Sequence, residues 1–405
     1  KFYLFFNPWF SIFKFKYKGT EYGLGWLPLG GYVKIAGMID ESMDKEQMKK
    51  PAEPWEFRSK PAWQRLIIML GGVTMNILLA VMIYIGMLFI WGEEYLPTES
   101  VKYGIVVDSV GAELGLKSGD RIISVDNQKV ENFRKIPEKL ILDEAKTIQV
   151  ERGEQQMNIE VPKGFLGKLV KSRSPNFIDV RIPFHVERFA PESAAEEAGL
   201  EKGDKIIGLN DKRTQYFDEF RSEIQQHKNK TVNVAVVRNS DTLNIPVNVP
   251  EEGLIGVYPV GNLAEFFEIR EKDYNLLEAI PAGISRTYSG IGSYLKQLKL
   301  IFSPEVKAYE SVGGFITIGN IFPAEWHWQS FWTLTAFLSI MLAILNILPI
   351  PALDGGHVMF LMYEIISRRK PSDKFMEYAQ ITGMIILFAL LIFANGNDIV
   401  RLFSN

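Results

Sequence analysis

The residues best suited to chemistry lie in the segment Asn346–His357, which has the sequence N-I-L-P-I-P-A-L-D-G-G-H and ends an apolar stretch. An ionisable side chain such as Asp354 is costly at membrane depth, so it is a functional candidate by default. Pro349 and Pro351 break the helix, and the two glycines after Asp354 allow close approach of another element. The alternative is an ordinary Asp at a wet helix end that bonds to loop amides.

The remaining composition excludes several kinds of site. The 405 residues include no cysteine, which rules out disulfides, thiolate metal sites and cysteine nucleophiles. No two of the four histidines are separated by four residues, the spacing of a helical metal-binding pair: His185, His227, His327 and His357. The net charge of −3 gives no bulk attraction to nucleic acid, so no nucleic-acid partner is predicted.

Three long apolar stretches predict a polytopic α-helical membrane protein. Leu66–Trp91 would extend about 39 Å as a helix, which is enough to cross the bilayer core. Phe331–Leu353 and Phe375–Ala394 are the other two candidates. One such stretch alone could be a buried core helix, but three in one chain favour insertion into the lipid bilayer.

Charged flanks predict the orientation of these spans. Lysine and arginine cluster before the first span and between the second and third: Arg58, Lys60, Arg65, Arg368, Arg369, Lys370 and Lys374. The positive-inside rule places both clusters in the cytoplasm. The polar block from about Glu93 to Glu325 is then predicted to lie on the periplasmic side of a bacterial inner membrane.

This polar block contains a repeat. The pattern G-L-x-x-G-D-x-I-I occurs at Gly115–Ile123 and again at Gly199–Ile207. Glycine permits positive φ in a tight turn, and the Ile-Ile pair begins a buried strand. The pattern resembles the PDZ domain in its bacterial, protease-associated form. That resemblance implies a domain of α+β type that binds a peptide as an added strand, often by its carboxylate.

The role of the repeats stays open at this stage. They could bind peptide tails, filter substrates sterically over a membrane site, or be purely structural. The candidate carboxylate-binding loop of the first repeat is Tyr103, Gly104, Ile105 and Val106. After the repeats, an apolar helical face indicates either a helix on the membrane surface or one packed on a PDZ domain: Ile284, Tyr288, Ile291, Leu295, Leu298 and Phe302.

An alternating pattern near the N-terminus predicts a β-hairpin. Phe13, Phe15 and Tyr17 fall on one face, lysines fall on the other, and Gly19-Thr20 can turn the chain into a second strand. The following Leu27–Lys34 segment is too short and too glycine-rich for a spanning helix. A sheet edge at membrane depth could pair with an extended substrate. An ordinary interfacial hairpin is the alternative.

Three segments in order resemble the site-2 protease family of intramembrane zinc metalloproteases. "N..P.P.LDGGH" resembles the family's third-ligand motif, "GWLPLGGYVK" its membrane re-entrant loop, and "SKPAWQRLIIMLGGVTMN" the start of its second membrane helix. Two PDZ-like repeats between membrane helices narrow the resemblance to the regulator of sigma-E protease type. The resemblance covers essentially the whole chain.

The resemblance implies zinc held by two His and one Asp, a bound water, and a Glu that takes the water's proton. Asp354 becomes the zinc ligand, and Asn346 a residue that binds substrate backbone or stabilises the oxyanion. The implied substrate-binding residues are Gly23, Gly25, Trp26, Leu27, Pro28, Leu29, Gly30, Gly31, Asn346, Pro349 and Pro351.

Two departures from the family pattern stand out. The family carries His-Glu-x-x-His on its first membrane helix, and no such pair exists in these residues, so we expect it immediately upstream of Lys1. Residues Gly313–Ile316 read Gly-Gly-Phe-Ile where relatives commonly have Gly-Pro-Ile. The 405 residues alone are therefore not expected to assemble the full zinc site.

The expected function is cleavage of single-pass membrane proteins, such as anti-sigma factors or remnant signal peptides. The alternative is a non-catalytic membrane scaffold whose PDZ pair binds exported peptides. The expected domains are a hairpin and cytoplasmic segment (1–58), a membrane helix (59–92), two PDZ domains (93–165 and 166–260), amphipathic helices with a membrane-proximal loop (261–328), and two membrane helices (329–405).

Overall fold

The structure, a computed structural model, describes residues 1–28, 30–38, 51–172, 176–301, 303 and 313–404. The chain divides into two compact units. Residues 1–87, 278–292 and 312–405 form the first unit, and residues 88–277 and 293–311 form the second. Both sequence repeats belong to the second unit.

The helices in chain order are α1 (Ala62–Trp91), α2 (Ser109–Glu113), α3 (Lys135–Leu142), α4 (Phe165–Ser172), α5 (Ala194–Glu197), α6 (Phe217–Ile224), α7 (Leu276–Ile301), α8 (Phe315–Gly319), α9 (Trp328–Ile347), α10 (Asp354–Ser367) and α11 (Asp373–Ser404). The strands are β1 (Phe2–Tyr3), β2 (Phe6–Tyr17), β3 (Thr20–Leu27), β4 (Tyr32–Val33), β5 (Glu93–Tyr95), β6 (Ile105–Val107), β7 (Arg121–Val125), β8 (Thr147–Arg152), β9 (Gln155–Glu160), β10 (Ile178–Val180), β11 (Val186–Phe189), β12 (Lys205–Leu209), β13 (Lys212–Arg213), β14 (Thr231–Arg238), β15 (Asp241–Asn248), β16 (Val257–Pro259) and β17 (Arg270–Lys272).

Three helices are long and apolar enough to cross a membrane: α1, α9 and the Lys374–Phe403 part of α11. The 30 residues of α1 extend about 45 Å. The three predicted apolar stretches are therefore confirmed as helices that could span a membrane, with different ends. The second ends at Ile347 instead of Leu353, because Leu348 precedes a proline and adopts an extended conformation with ψ 143°.

Small and polar residues join the helices of the first unit. The Ser339 hydroxyl of α9 donates a hydrogen bond to the Asn76 carbonyl of α1 at 2.8 Å. Arg65 of α1 forms an ion pair with Glu364 of α10. Gly283 of α7 lies so close to α1 that a Cβ there would come 2.8 Å from a backbone nitrogen. Such contacts are typical of helices that associate within a membrane.

The predicted amphipathic helix is confirmed as α7. Its apolar residues Ile284, Tyr288 and Leu295 are exposed, and Phe302 lies outside the described residues. A different face, made of the small residues Ala279, Gly283 and Thr287, is buried. The exposed apolar face agrees with the membrane-surface alternative. The end of α7 also contacts the first repeat, because Ser293 donates a hydrogen bond to Glu138 and Lys296 pairs with Asp143, so the packing alternative has support as well.

A four-stranded sheet in the order β2-β3-β1-β4 begins the first unit. The predicted hairpin is confirmed as β2 and β3, joined by Lys18 and Gly19, which both have positive φ. Phe13 pairs with Leu24, and Phe15 pairs with residue 22, so the aromatic side chains share one face. The sequence did not predict β1, which runs parallel to β3, or β4.

Each sequence repeat folds around an antiparallel sheet of the same order. The first repeat has β7-β8-β9, and the second has β12-β14-β15 with β13 at its edge. A two-stranded sheet accompanies each one, β6 with β10 and β11 with β16. The pairing of β10 with β6 places Ile178–Val180 with the first repeat, beyond the predicted boundary at residue 165.

The two repeats close their Gly-Asp turns with the same ion pair. Arg152 donates hydrogen bonds to both oxygens of Asp120, at 2.7 and 2.8 Å, and to the carbonyl of the first turn glycine. Arg238 does the same with Asp204, at 2.7 Å to each oxygen. The glycines of both turns have φ between +92° and +97°. The sequence repeat is therefore also a structural repeat.

Candidate active site

Asp354 is the first residue of α10, where it is half-buried. The loop before it is tight, because the Leu353 amide donates to the Ile350 carbonyl at 3.0 Å. A Cβ at Gly356 would lie 2.7 Å from that same carbonyl, so glycine is required where α10 packs on the loop. The N-terminal end of a helix favours a carboxylate. The prolines and glycines of the motif thus position Asp354 between two apolar helices.

The Asp354 carboxylate faces Gly72 of α1. A Cβ at Gly72 would lie 3.6 Å from Asp354 Oδ2, which is ordinary van der Waals contact. A Cβ at the neighbouring Gly71 would meet no atom within 4 Å. The spanning helix α1 therefore presents bare backbone to the carboxylate, and any longer side chain at Gly72 would compete for the same space.

The Asp354 carboxylate receives no hydrogen bond from any group in the described part of the chain. A partly desolvated carboxylate without a donor is costly, and its oxygens remain available to a cation. Aspartate oxygens are common zinc ligands. The described residues contain no group of three or more His, Cys, Asp or Glu placed to hold a metal ion. Asp354 thus fits one ligand position of a zinc site, and the described residues do not complete the set.

The other motif residues surround the same connection between α9 and α10. Asn346 lies in the last turn of α9 and is half-buried. Pro349 and Pro351 lie in the loop that follows. His357, one turn after Asp354, lines a cavity of which Asp354 is not part. The structure therefore places Asn346, the two prolines and Asp354 along the same connection between α9 and α10, and it gives His357 different surroundings.

The predicted substrate-holding residues lie in and after an interior strand. Gly23, Gly25, Trp26 and Leu27 belong to β3, which pairs with β2 on one side and β1 on the other. A Cβ at Gly31 would lie 2.5 Å from a carbonyl of the β1 segment. Pro28 and Gly30 continue from β3, and Leu29 lies outside the described residues. In the described sheet, β2 and β4 are the edges where a further strand could pair.

The four candidate peptide-binding residues of the first repeat already contact the chain itself. The Tyr103 ring packs against two other aromatic rings, each at a centroid distance of 5.7 Å. The Gly104 carbonyl accepts a hydrogen bond from the Arg181 amide at 3.0 Å. Ile105 and Val106 lie in β6, which pairs with β10. Their role in peptide binding stays a prediction, and these contacts occupy main-chain groups that a peptide strand would need.

Comparison with known proteins now assigns the family. The family model described as "Peptidase family M50" matches residues 1–390, nearly the whole chain. The chain belongs to peptidase family M50. This assignment confirms the resemblance to the site-2 proteases that the motifs indicate.

Relatives of this M50 chain cover almost its full length. A Vibrio cholerae protein, provisionally named a zinc metalloprotease, is 27% identical over 420 residues, covering 95% of this chain and 88% of its own. The "Regulator of sigma E protease" of Haemophilus influenzae is 26% identical over 419 residues, with the same two coverages. The "Regulator of sigma-E protease RseP" of Escherichia coli K12 is 27% identical over 413 residues, again with 95% and 88% coverage.

The structure adds two residues of this M50 protein that the sequence reasoning missed. One is Gly72, described above. The other is Asp398 of α11, whose buried carboxylate accepts hydrogen bonds from the Gly314, Ile316 and Thr317 amides at 2.9–3.1 Å. These bonds join α8 and the glycine before it, where the sequence departs from the family's Gly-Pro-Ile, to the last helix. The sequence could have indicated Asp398 as an acidic residue within an apolar helix. It did not, because the predicted span ended at Ala394, four residues before Asp398.

Proposed function

We propose that this M50 protein is an intramembrane zinc metallopeptidase that cleaves single-pass transmembrane segments, such as those of anti-sigma factors or remnant signal peptides. The observation that carries the proposal is Asp354. Its carboxylate is half-buried, receives no hydrogen bond from the described residues, and faces a glycine of a helix long enough to span the bilayer. The names of the relatives support zinc as the cofactor.

Zinc held at such a site would supply Lewis-acid chemistry that lowers the pKa of a water molecule for attack on a peptide carbonyl near neutral pH. Asp354 would provide one negatively charged ligand, and Gly72 leaves the space that this ligand needs. In the described part of the chain the Asn346 side chain makes no hydrogen bond, so its amide N–H groups can donate to a substrate carbonyl. Such a donor binds the scissile carbonyl and stabilises the charge that develops on it.

A transmembrane substrate must unwind before cleavage, because helical hydrogen bonds occupy its carbonyl groups. The sheet at Phe2–Val33 supports this step. Its edge strands can add an extended substrate segment and replace the lost helical hydrogen bonds. The exposed aromatic side chains of Phe13, Phe15 and Tyr17 suit a position at membrane depth. Pro28, Gly30 and Gly31, which follow β3, would line the path of the substrate.

We further propose that the repeats are PDZ-type domains on the periplasmic side of the inner membrane. Their shared strand order and shared Gly-Asp turn support a common domain type. The cationic flanks of the spans support the orientation. In the first repeat, the chain's own β10 pairs with β6, which favours a steric filter over strand addition at Tyr103–Val106.

The test is substitution of the proposed ligand in the intact protein. Asp354→Ala should lose bound zinc and lower cleavage of a single-pass reporter at least about a hundredfold. Changing a residue that only contacts a metal ligand costs about 10–100-fold, and loss of the ligand itself should cost more. Glu325→Ala is the matched control, because Glu325 is an exposed carboxylate in the same unit. Metal analysis and reporter cleavage are measured on the same membrane-extracted samples.

Two results would contradict the proposal. Zinc that stays bound in Asp354→Ala would remove Asp354 from the ligand set. Intact wild-type protein that binds exported peptides, contains no zinc and cleaves no reporter would instead support the non-catalytic scaffold. We test the scaffold alternative as well, because the described residues include no group of three that could hold a metal ion.

A further inference from the structure

Asn76 lies on the face of α1 that is turned toward Asp354. It follows Gly72 by four residues, which places the two on the same face of the helix, with Cβ positions about 5–6 Å apart. A Cβ at Gly72 would stand 3.6 Å from Asp354 Oδ2. Side chains on a helix point back toward its N-terminal end, so the Asn76 side chain is directed over Gly72, which has no side chain to oppose it. Asn76 and Asp354 therefore border the same space.

Two contacts show that α1 and α9 run antiparallel, and they place Asn346 near the same space. The Thr333 hydroxyl lies 3.9 Å from the Met87 sulfur, and the Ser339 hydroxyl donates to the Asn76 carbonyl at 2.8 Å. Later residues of α9 thus meet earlier residues of α1. Asn346 follows Ser339 by seven residues, or two turns, so it lies on the same face of α9 about 10 Å further along. It therefore faces α1 at the level of the turns that precede Asn76.

The side-chain amide of Asn76 has hydrogen-bonding groups that the described chain does not use. Its backbone carbonyl accepts the bond from Ser339, but its half-buried side chain makes no hydrogen bond to any described residue. Such an amide offers two N–H donors and a carbonyl acceptor. A polar group at membrane depth that stays without a partner is costly. An unwound peptide has complementary N–H and C=O groups, because it has lost its helical hydrogen bonds.

We propose that Asn76 binds the main chain of the unwound substrate beside the scissile bond. Its amide donates to the carbonyl and accepts from the N–H of one extended residue, since both groups of such a residue point to the same side of a strand. This role rests on the proposed function, in which Asn346 binds the scissile carbonyl itself. Asn76 lies about 6 Å along α1 from Gly72, and an extended chain advances about 3.3 Å per residue. The residue that Asn76 holds is therefore about two positions from the one beside Asp354.

The test uses the intact protein, purified in detergent with its zinc, and a fluorescent single-pass peptide as substrate. Asn76→Leu keeps the size of the side chain and removes the amide. It should raise KM about tenfold and leave kcat within about twofold, because a contact made equally before and during the reaction affects only binding. Equilibrium binding of the peptide to chelated, zinc-free protein should weaken by the same factor. This second measurement reads the affinity without turnover.

Two further variants make the comparison specific. Asn76→Gln retains an amide and should recover part of the lost affinity. Thr74→Val is the matched control, because it also replaces a polar side chain of α1 with an apolar one of similar size. Thr74 is exposed and lies two residues from Gly72, which is about 200° around the helix, so it points away from Asp354. Thr74→Val should change neither KM nor kcat, and all three variants should keep the zinc content and thermal midpoint of the wild type.

Three results would overturn the role of Asn76. Unchanged KM and peptide affinity in Asn76→Leu would mean that the substrate main chain does not contact this amide. A lower thermal midpoint with loss of zinc, absent from Thr74→Val, would mean that Asn76 joins α1 to another helix. A lower kcat at constant KM would mean that the amide acts on the transition state and not on substrate binding. Failure of the proposed function looks different, because the wild-type protein itself would then hold no zinc and leave the peptide intact.

Discussion

Gly72 controls the space beside Asp354, because the carboxylate faces its bare backbone. We predict that Gly72→Ala folds and keeps its zinc, since the new Cβ would stand 3.6 Å from Asp354 Oδ2. Gly72→Leu should displace the carboxylate and lower zinc affinity about 10–100-fold, the range seen when groups around metal ligands are altered. Zinc content measured under a graded chelator series distinguishes the two variants.

Gly71→Leu is the matched control for this comparison. It places the same side chain one residue earlier on the same helix, where a Cβ meets no atom within 4 Å. It should retain zinc at the wild-type level. Equal zinc loss in Gly71→Leu and Gly72→Leu would mean that leucine disturbs α1 in general, and the predicted contact with Asp354 would then be wrong.

At the scale of single residues, the sequence predicted which side chain could take part in chemistry better than it predicted which residues contact that side chain. Asp354 was found because an acid is costly in an apolar stretch, and that rule needs no tertiary information. Gly72 was not predicted, because it matters only through its contact with Asp354. That residue belongs to another helix and lies 282 positions later in the chain. The main-chain partners of Tyr103–Val106 were also unpredictable, since β10 lies more than 70 residues away.

Among the elements, the Gly-Asp turns depend on a buried ion pair that the two repeats share. Asp204 is 1% exposed, and Arg238 holds both of its oxygens. Removing Arg238 leaves a buried carboxylate without its cation, so Arg238→Leu should lower the stability of the second repeat. Hydrogen exchange of β12 and β14 in the intact protein measures this loss. Arg221→Leu, at an exposed position of α6, is the control and should leave exchange unchanged.

The same ion pair predicts a pH dependence. Burial opposes ionisation of Asp204, but the hydrogen bond from Arg238, the Glu201 amide and the Arg238 charge together lower its pKa below the ordinary value. A lowered folded-state pKa means that the stabilisation is complete above the unfolded pKa of about 3.9 and is lost as pH falls through the folded one. The protection factors of the β12 amides, corrected for the pH dependence of chemical exchange, should therefore fall below about pH 4 in the wild type. An equally steep acid response in Arg238→Leu would contradict this assignment.

Helices and strands with a strong local sequence pattern were predicted well. Short elements that form only through contacts with distant parts of the chain were not. The β2–β3 hairpin and the three spans follow from alternation and from continuous apolar sequence, and all are present. The two-residue strands β1 and β4 exist only because β1 pairs with β3 and β4 pairs with β1. Likewise α8 depends on the distant Asp398 carboxylate, which satisfies three amides at its start. Local sequence carries no information about such long-range pairing.

The whole chain offers a direct way to test its orientation, because it contains no cysteine. A single introduced cysteine is therefore the only thiol among these 405 residues that a maleimide reagent can label. Ser222→Cys lies on an exposed position of α6 in the second repeat, and Arg369→Cys lies in the exposed loop between α10 and α11. The positive-inside rule predicts that Ser222 faces the periplasm and Arg369 the cytoplasm.

We expect a membrane-impermeant maleimide to label Ser222→Cys in intact spheroplasts, and to label Arg369→Cys only after the membrane is opened. The physical reason is that the cluster of Arg368, Arg369, Lys370 and Lys374 resists transfer across the membrane, whereas we propose that the repeats fold outside. Labelling of both sites after opening confirms that each thiol is reachable. Early labelling of Arg369→Cys with protection of Ser222→Cys would invert the proposed topology. The repeats would then lie on the cytoplasmic side and could not filter substrates from the periplasm.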